Sequence, residues 1–140
     1  MLRFLCPAVL VALSLGCGGS SKKPVHPVQG QVRYQGRPTP QAVVILHPED
    51  AKDPAAPRPI GHVDDKGNFA LTSYASDDGA PEGTYRVSVS WHLASRVPGR
   101  ADETVTQNYL PARYGNPDTS NLRVTITKGS NRLDPITLTR

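Results

Sequence analysis

The stretch VQGQVRYQGRPTPQAVVILHP, residues 28–48, decides the fold. In its first third Val28, Gly30, Val32 and Tyr34 alternate with Gln29, Gln31 and Arg33. A period of two belongs to a strand with one face in the core and one in water. Residues 42–46 are apolar on both faces, which suits a strand deep inside a sheet or sandwich. Between them Gly36 supplies backbone freedom and Pro38 a fixed φ, so the two segments read as an opening hairpin.

Working outward, residues 60–63 and 69–71 face each other across Asp64-Asp65-Lys66-Gly67-Asn68, with Gly67 expected at positive φ. That turn lacks the alternating oxygen ligands of a calcium loop. The clearest strand is 84–92. Tyr85, Val87, Val89 and Trp91 take its inner face, while Arg86, Ser88, Ser90 and His92 take an outer, solvated one. Trp91, the only tryptophan, is expected to close one end of the core with its indole N–H satisfied near the surface.

Residues 93–121 are the least regular. The first half is polar and reads as a mobile loop. The second, 108–120, carries Tyr109, Leu110 and Tyr114, and reads as packing back on the domain rather than forming a ligand lip. A closing hairpin follows. Leu122, Val124 and Ile126 alternate, residues 128–131 turn, and 133–139 returns with Ile136 and Leu138 inward and Pro135 at an edge or bulge. The reading is all-β: seven short strands without a helix, in an antiparallel Greek-key β-sandwich.

At 140 residues the chain amounts to one domain, and its 14 prolines argue against long helices. The net charge of +4 is scattered, with no basic stripe interleaved with aromatics, so nucleic-acid binding has no support. Residues 1–16 read as an export signal: Arg3 opens it, and the apolar run 4–15 is short for a bilayer span. That run ends in Leu13-Ser14-Leu15-Gly16-Cys17, which resembles the lipobox of bacterial lipoproteins, although Ser14 stands where that pattern prefers Leu. The resemblance implies that Cys17 carries a thioether-linked diacylglycerol. An ordinary cleaved signal or an anchor helix is the other reading.

Of the two cysteines, Cys6 lies in the part removed, so no intramolecular disulfide is available. Residues 17–27 then form a lipidated Cys and flexible linker, with Lys22 and Lys23 placed to meet anionic headgroups. Gly18, where an Asp would hold a lipoprotein on the inner membrane, leans towards the outer membrane. Residues 28–140 are the domain. The expected address is the cell envelope, facing the periplasm or the exterior.

The spacing Val28-x-Gly30-x-Val32, Gly36-x-Pro38 and Ala42-x-Val44 resembles that of carboxypeptidase regulatory-like domains of transthyretin-like (prealbumin-like) fold. So do Asp65-x-Gly67-x-Phe69 and Gly83-x-Tyr85-x-Val87-x-Val89. Leu110-Pro111-x-x-Tyr114-Gly115 and Gly129-x-Asn131 are similar to small lipoproteins of this kind, abundant in planctomycete bacteria. The resemblance implies a non-catalytic accessory or binding domain. The patterned strands and the lack of a usable Cys lead us to expect a monomer without cofactor, and the expected partner, beyond the membrane itself, is an envelope protein or glycan.

Transthyretin-related hydrolases of 5-hydroxyisourate carry a C-terminal Tyr-Arg-Gly-Ser, whereas this chain ends Thr137-Leu138-Thr139-Arg140. Imidazole is the commonest ligand for zinc and copper, but His26, His47, His62 and His92 are spread over the linker and three strands. The enzyme alternative is a metal or hydrolytic site in which His47 and His92 converge with loop tyrosines Tyr109 or Tyr114. No Gly-x-Ser-x-Gly elbow is present. Asp64/Asp65 and Asp77/Asp78 are adjacent pairs whose side chains diverge.

Overall fold

The computed structural model describes residues 21–50 and 52–140; the signal segment 1–16 and Cys17 lie outside the described residues. Eleven strands follow one another: β1 (Val28–Tyr34), β2 (Arg37–Pro38), β3 (Val43–Pro48), β4 (Ile60–His62), β5 (Asn68–Thr72) and β6 (Gly83–Ser90) come first. Then come β7 (His92–Val97), β8 (Arg100–Asn108), a 3-10 turn at Ala112–Gly115, β9 (Arg123–Ile126), β10 (Asn131–Arg132) and β11 (Ile136–Leu138). The main sheet runs β10-β1-β5-β4-β3-β6-β9, with β2 and β11 also paired to β1; β7 and β8 form a separate two-stranded ribbon.

The alternation read in β1 and β6 holds. Val28 and Val32 are buried in β1, and Tyr85, Val87 and Val89 in β6. Val44, Leu46, Phe69, Leu71, Ile126, Ile136 and Leu138 join them in one cluster. β1, β3, β5, β6, β9 and β11 thus turn one face to a common core, in keeping with an all-β sandwich. The turn between β4 and β5 is also as read. Gly67 has φ +90, and the Asp64 carboxylate accepts from the backbone N–H groups of Lys66 (2.9 Å) and Asn68 (2.8 Å).

Four expectations are corrected. The opening hairpin does not join β1 to β3. The turn is Gln35-Gly36, both at positive φ, and only Arg37–Pro38 pairs back on β1. Pro38 and Pro40 have no N–H to donate, so the ladder stops there and the chain crosses to β3, which pairs with β4 and β6. The closing hairpin is also absent: β9 pairs with β6, while β10 and β11 cross over to β1.

Third, the sheet is not wholly antiparallel, because β10 and β11 run parallel to β1. The offset between partners changes by one residue from Gln29↔Arg132 to Val32↔Ile136. Pro135 thus lies in the irregular stretch between β10 and β11, the bulge that its missing N–H favours. Fourth, residues 93–107 are a β-ribbon rather than a loop, with a register shift between Arg96 and Val97 and a turn at Pro98-Gly99, where Gly99 has φ +81.

His26 and Pro27, at the end of the stretch read as linker, are tied to the domain. The backbone of His26 exchanges two hydrogen bonds with Ala80, and the Pro27 carbonyl accepts from Asn131 N–H at 2.8 Å.

Candidate functional site: an aromatic patch at the base of a β-ribbon

The structure separates the histidines proposed for a metal or hydrolytic site. His47 lies on β3 opposite Arg86, and His92 opens β7 beyond Ser90, which pairs with Val43 at the other end of β3. Six residues of extended chain from Arg86 to His92 span about 20 Å. His62 is exposed on β4, and the His26 ring accepts from Gly129 N–H at 3.2 Å. Among the described residues no three His, Cys, Asp or Glu side chains gather at metal-ligating distance.

His47 instead pairs with Ser88, Nε2 to Oγ at 2.8 Å. Partial burial holds its pKa below the ordinary value, with Arg58 pushing the same way and Asp118 opposing. The pair lacks the other parts of a nucleophilic centre. The Asp118 carboxylate is engaged by Arg86 rather than by the imidazole. Ser88 is only 6% exposed, a correction to the solvated outer face read from the sequence. Its short side chain lies below its neighbours, opposite Ile45 and bonded to His47, so the outer face of β6 is covered at that point.

A concavity of about 610 Å³ lies on the outer face of β1, β5 and β4. Gln29, Gln31, Asn68, His62 and Arg132 line it. Its polar groups are partly spent on each other: Gln31 Nε2 donates to Asn68 Oδ1 at 2.7 Å, and Asp64 serves its own turn. Its one aromatic neighbour, Phe69, is buried in the core, so the groove offers no open ring face.

Open ring faces are gathered elsewhere. Trp91 follows the last residue of β6, and its indole Nε1–H donates to the Pro40 carbonyl at 2.8 Å, as expected of a residue closing the core. One edge meets Tyr34 in a T-shaped contact with centroids 6.5 Å apart, and Tyr109 tilts against it at 5.8 Å. Tyr34 and Trp91 are half-buried, and Tyr109 is 44% exposed. Asn108 fixes the arrangement, its Oδ1 accepting from Trp91 N–H (3.1 Å) and Leu110 N–H (3.2 Å). Tyr109 N–H in turn donates to the Trp91 carbonyl at 2.9 Å.

The loop reading for 108–120 holds in part. Leu110 and Tyr114 are buried, and the Tyr114 hydroxyl accepts from Thr139 N–H at 2.9 Å. Tyr109 stays outside and builds the patch. Sequence reasoning missed the patch because it missed the ribbon. Pro98-Gly99 between Leu93-x-Ser95-x-Val97 and Thr104-Val105-Thr106 carried the hairpin signal, and its ladder sets Trp91 beside Tyr109.

No protein-family model matches the chain, and no curated protein matches it. Three solved structures are similar to it. A 9R-lipoxygenase from Cyanothece shares 13% identity at TM-score 0.43 over 82% of this chain and 16% of its own. A proposed carbohydrate-binding protein from Pseudomonas aeruginosa shares 18% at TM-score 0.41 over 87% and 92%. A DUF3823 family protein from Parabacteroides merdae shares 18% at TM-score 0.39 over 84% and 47%. The chain thus spans about a sixth of the lipoxygenase and about half of the DUF3823 protein. Likeness at this level assigns neither family nor activity.

Proposed function

We propose that the chain is a non-catalytic binding module of the cell envelope, a carboxypeptidase regulatory-like, transthyretin-like Greek-key domain tethered through Cys17, and that it holds a glycan against Tyr34, Trp91 and Tyr109. One observation carries the ligand class: three aromatic rings clustered at the surface, one of them 44% exposed. The C–H faces of a sugar ring stack on such rings, and the hydroxyl rim finds amides and carbonyls around them. Gln107, on the same face of its strand as Tyr109, stands at that rim.

The tether rests on the lipobox-like residues 13–17 and the polar stretch behind them. No helix among the described residues is long and apolar enough to cross a membrane.

Trp91 is the only tryptophan, so its fluorescence reports on the patch directly. Titration with a panel of neutral oligosaccharides is expected to quench or shift that emission saturably. Tyr109→Ala should weaken binding about tenfold or more, in line with loss of one stacking contact. Saturable binding unaffected by Tyr109→Ala, or no binding across the panel, overturns the reading.

A further inference from the structure

The aromatic patch does not end at Tyr109. Partners in the β7–β8 ladder run His92↔Asn108, Leu93↔Gln107, Ala94↔Thr106, Ser95↔Val105 and Arg96↔Thr104, and the Tyr109 N–H to Trp91 carbonyl bond extends that register by one pair. Side chains alternate across a strand. Trp91, Leu93 and Ser95 therefore share one face with Tyr109, Gln107 and Val105, while His92, Ala94 and Arg96 share the other with Asn108, Thr106 and Thr104.

The two faces differ in chemistry. The one continuous with Trp91 has no charged side chain from Trp91 to Ser95 or from Val105 to Tyr109; its charges lie at the tip, where Arg100, partner of Val97, pairs with Glu103 at 2.8 Å. It sets apolar Leu93 and Val105 between hydroxyl and amide groups of Ser95 and Gln107, and Val105 is 47% exposed. The opposite face carries Arg96 and His92. The ribbon belongs to no other sheet, and nearly every residue of β8 is exposed. Four residues of strand from Trp91 to Ser95 extend the platform by about 13 Å.

We infer that this ribbon face is a continuation of the ligand surface, and that the ligand is a neutral, linear, equatorially linked polysaccharide lying along it rather than the tip of a branched glycan. The inference rests on the glycan reading of the patch. Such a chain presents flat C–H faces bordered on both edges by equatorial hydroxyls. The ribbon offers apolar Leu93 and Val105 to the faces, each paired across the ladder with a polar side chain, Gln107 and Ser95, that can meet the hydroxyls. No unpaired cation stands on this face, since Arg100 is engaged by Glu103, which disfavours an anionic glycan; its narrowness favours an extended chain over a bulky partner.

The test uses the full chain in detergent and β-1,4-linked glucose and N-acetylglucosamine oligomers from mono- to hexasaccharide, read by Trp91 fluorescence. Affinity is expected to rise about tenfold or more from the disaccharide to the hexasaccharide, one added contact supplying that factor. The double variant Ser95→Lys/Val105→Glu blocks the middle of the face while replacing a directly opposed pair with opposite charges, which keeps the ribbon paired. It should leave disaccharide binding unchanged and abolish the gain with length.

An undiminished length dependence in that variant overturns the inference while sparing the patch. A wild-type affinity independent of length does the same. Loss of no binding at all in Tyr109→Ala removes the patch as well. Ribbon-dependent binding to vesicles of phosphatidylethanolamine and phosphatidylglycerol, with no length effect, overturns it in favour of a lipid surface.

Discussion

Gly30 stands directly across from Phe69 in the β1–β5 ladder, and a methyl group on Gly30 would come 2.5 Å from the ring carbon Cζ. Gly61 on β4 makes the same room from the other side, where an added Cβ would lie 2.6 Å from Cδ2. One phenyl ring thus occupies the space that two missing side chains leave over neighbouring strands. Neither glycine has a positive φ, so packing alone excludes a side chain there.

Gly30→Ala is therefore expected to cost about 1–3 kcal/mol, the range for overpacking a filled core. Phe69→Leu combined with it should cost less than the sum of the two single changes, because the smaller side chain yields the space. Urea unfolding of the three variants checks both statements, and strict additivity would refute the shared-space account.

Val87→Asp places a carboxylate in the core and should cost several kcal/mol, with no partner to offset burial. Ser88→Asp is expected to be damaging too, since Ser88 is 6% exposed and shares its hydroxyl with His47. Ser88→Ala should cost only about 1 kcal/mol, one neutral hydrogen bond. The expected order is Val87→Asp worst, Ser88→Asp next and Ser88→Ala mildest.

Thr39 is fully buried, and its Oγ1 finds no hydrogen-bond partner among the described residues. Thr39→Val keeps the branched shape and removes the unpaired hydroxyl. It should raise stability by about 1 kcal/mol, read as a higher urea midpoint with an unchanged slope.

Acid should weaken the fold in two stages. The His47 pKa is depressed by burial, so the unfolded chain takes up that proton first; its contribution is complete above the ordinary value of 6.5 and is lost as pH falls below it. Asp64 is depressed chiefly by the Asn68 N–H. For Asp78, burial pushes upward but is outweighed by the N–H groups of Ser73, Ala75 and Tyr74. Their contributions are present above the ordinary carboxylate value of 3.8 and fade below it. Unfolding midpoints measured from pH 8 to 3 should show both falls, and His47→Gln should remove only the upper one.

Cys17→Ser is expected to accumulate unprocessed precursor, whereas the wild-type chain should yield an acylated N-terminal Cys17 by mass spectrometry. Normal processing and membrane retention of the serine variant would exclude lipidation at this position.

Period-two alternation is a local signal, and it located β1, β6 and β9, with Val28, Val32, Tyr85, Val87, Val89 and Ile126 inward as read. Pairing is not local. Nothing within residues 28–48 announces that two prolines stop the β1 ladder and send the chain to the far side of the sheet, or that β10 and β11 return to β1 in parallel. The ribbon escaped for a different reason. Both its faces meet solvent, so residues 93–107 lack the apolar contrast by which a strand is recognised. With it went the patch, since Trp91 and Tyr109 lie 18 positions apart and become neighbours only through that ladder.

The long first strand has a mechanical consequence. Its N-terminal end receives the chain from His26 and Pro27, and the other end of its seven residues carries Tyr34 of the aromatic patch. β5 lies along one side and the parallel β10 and β11 along the other. A pull between the N-terminus and a ligand seated on the patch therefore acts along β1, across its hydrogen bonds. Bonds loaded in that direction share the force and yield together, instead of peeling open one after another.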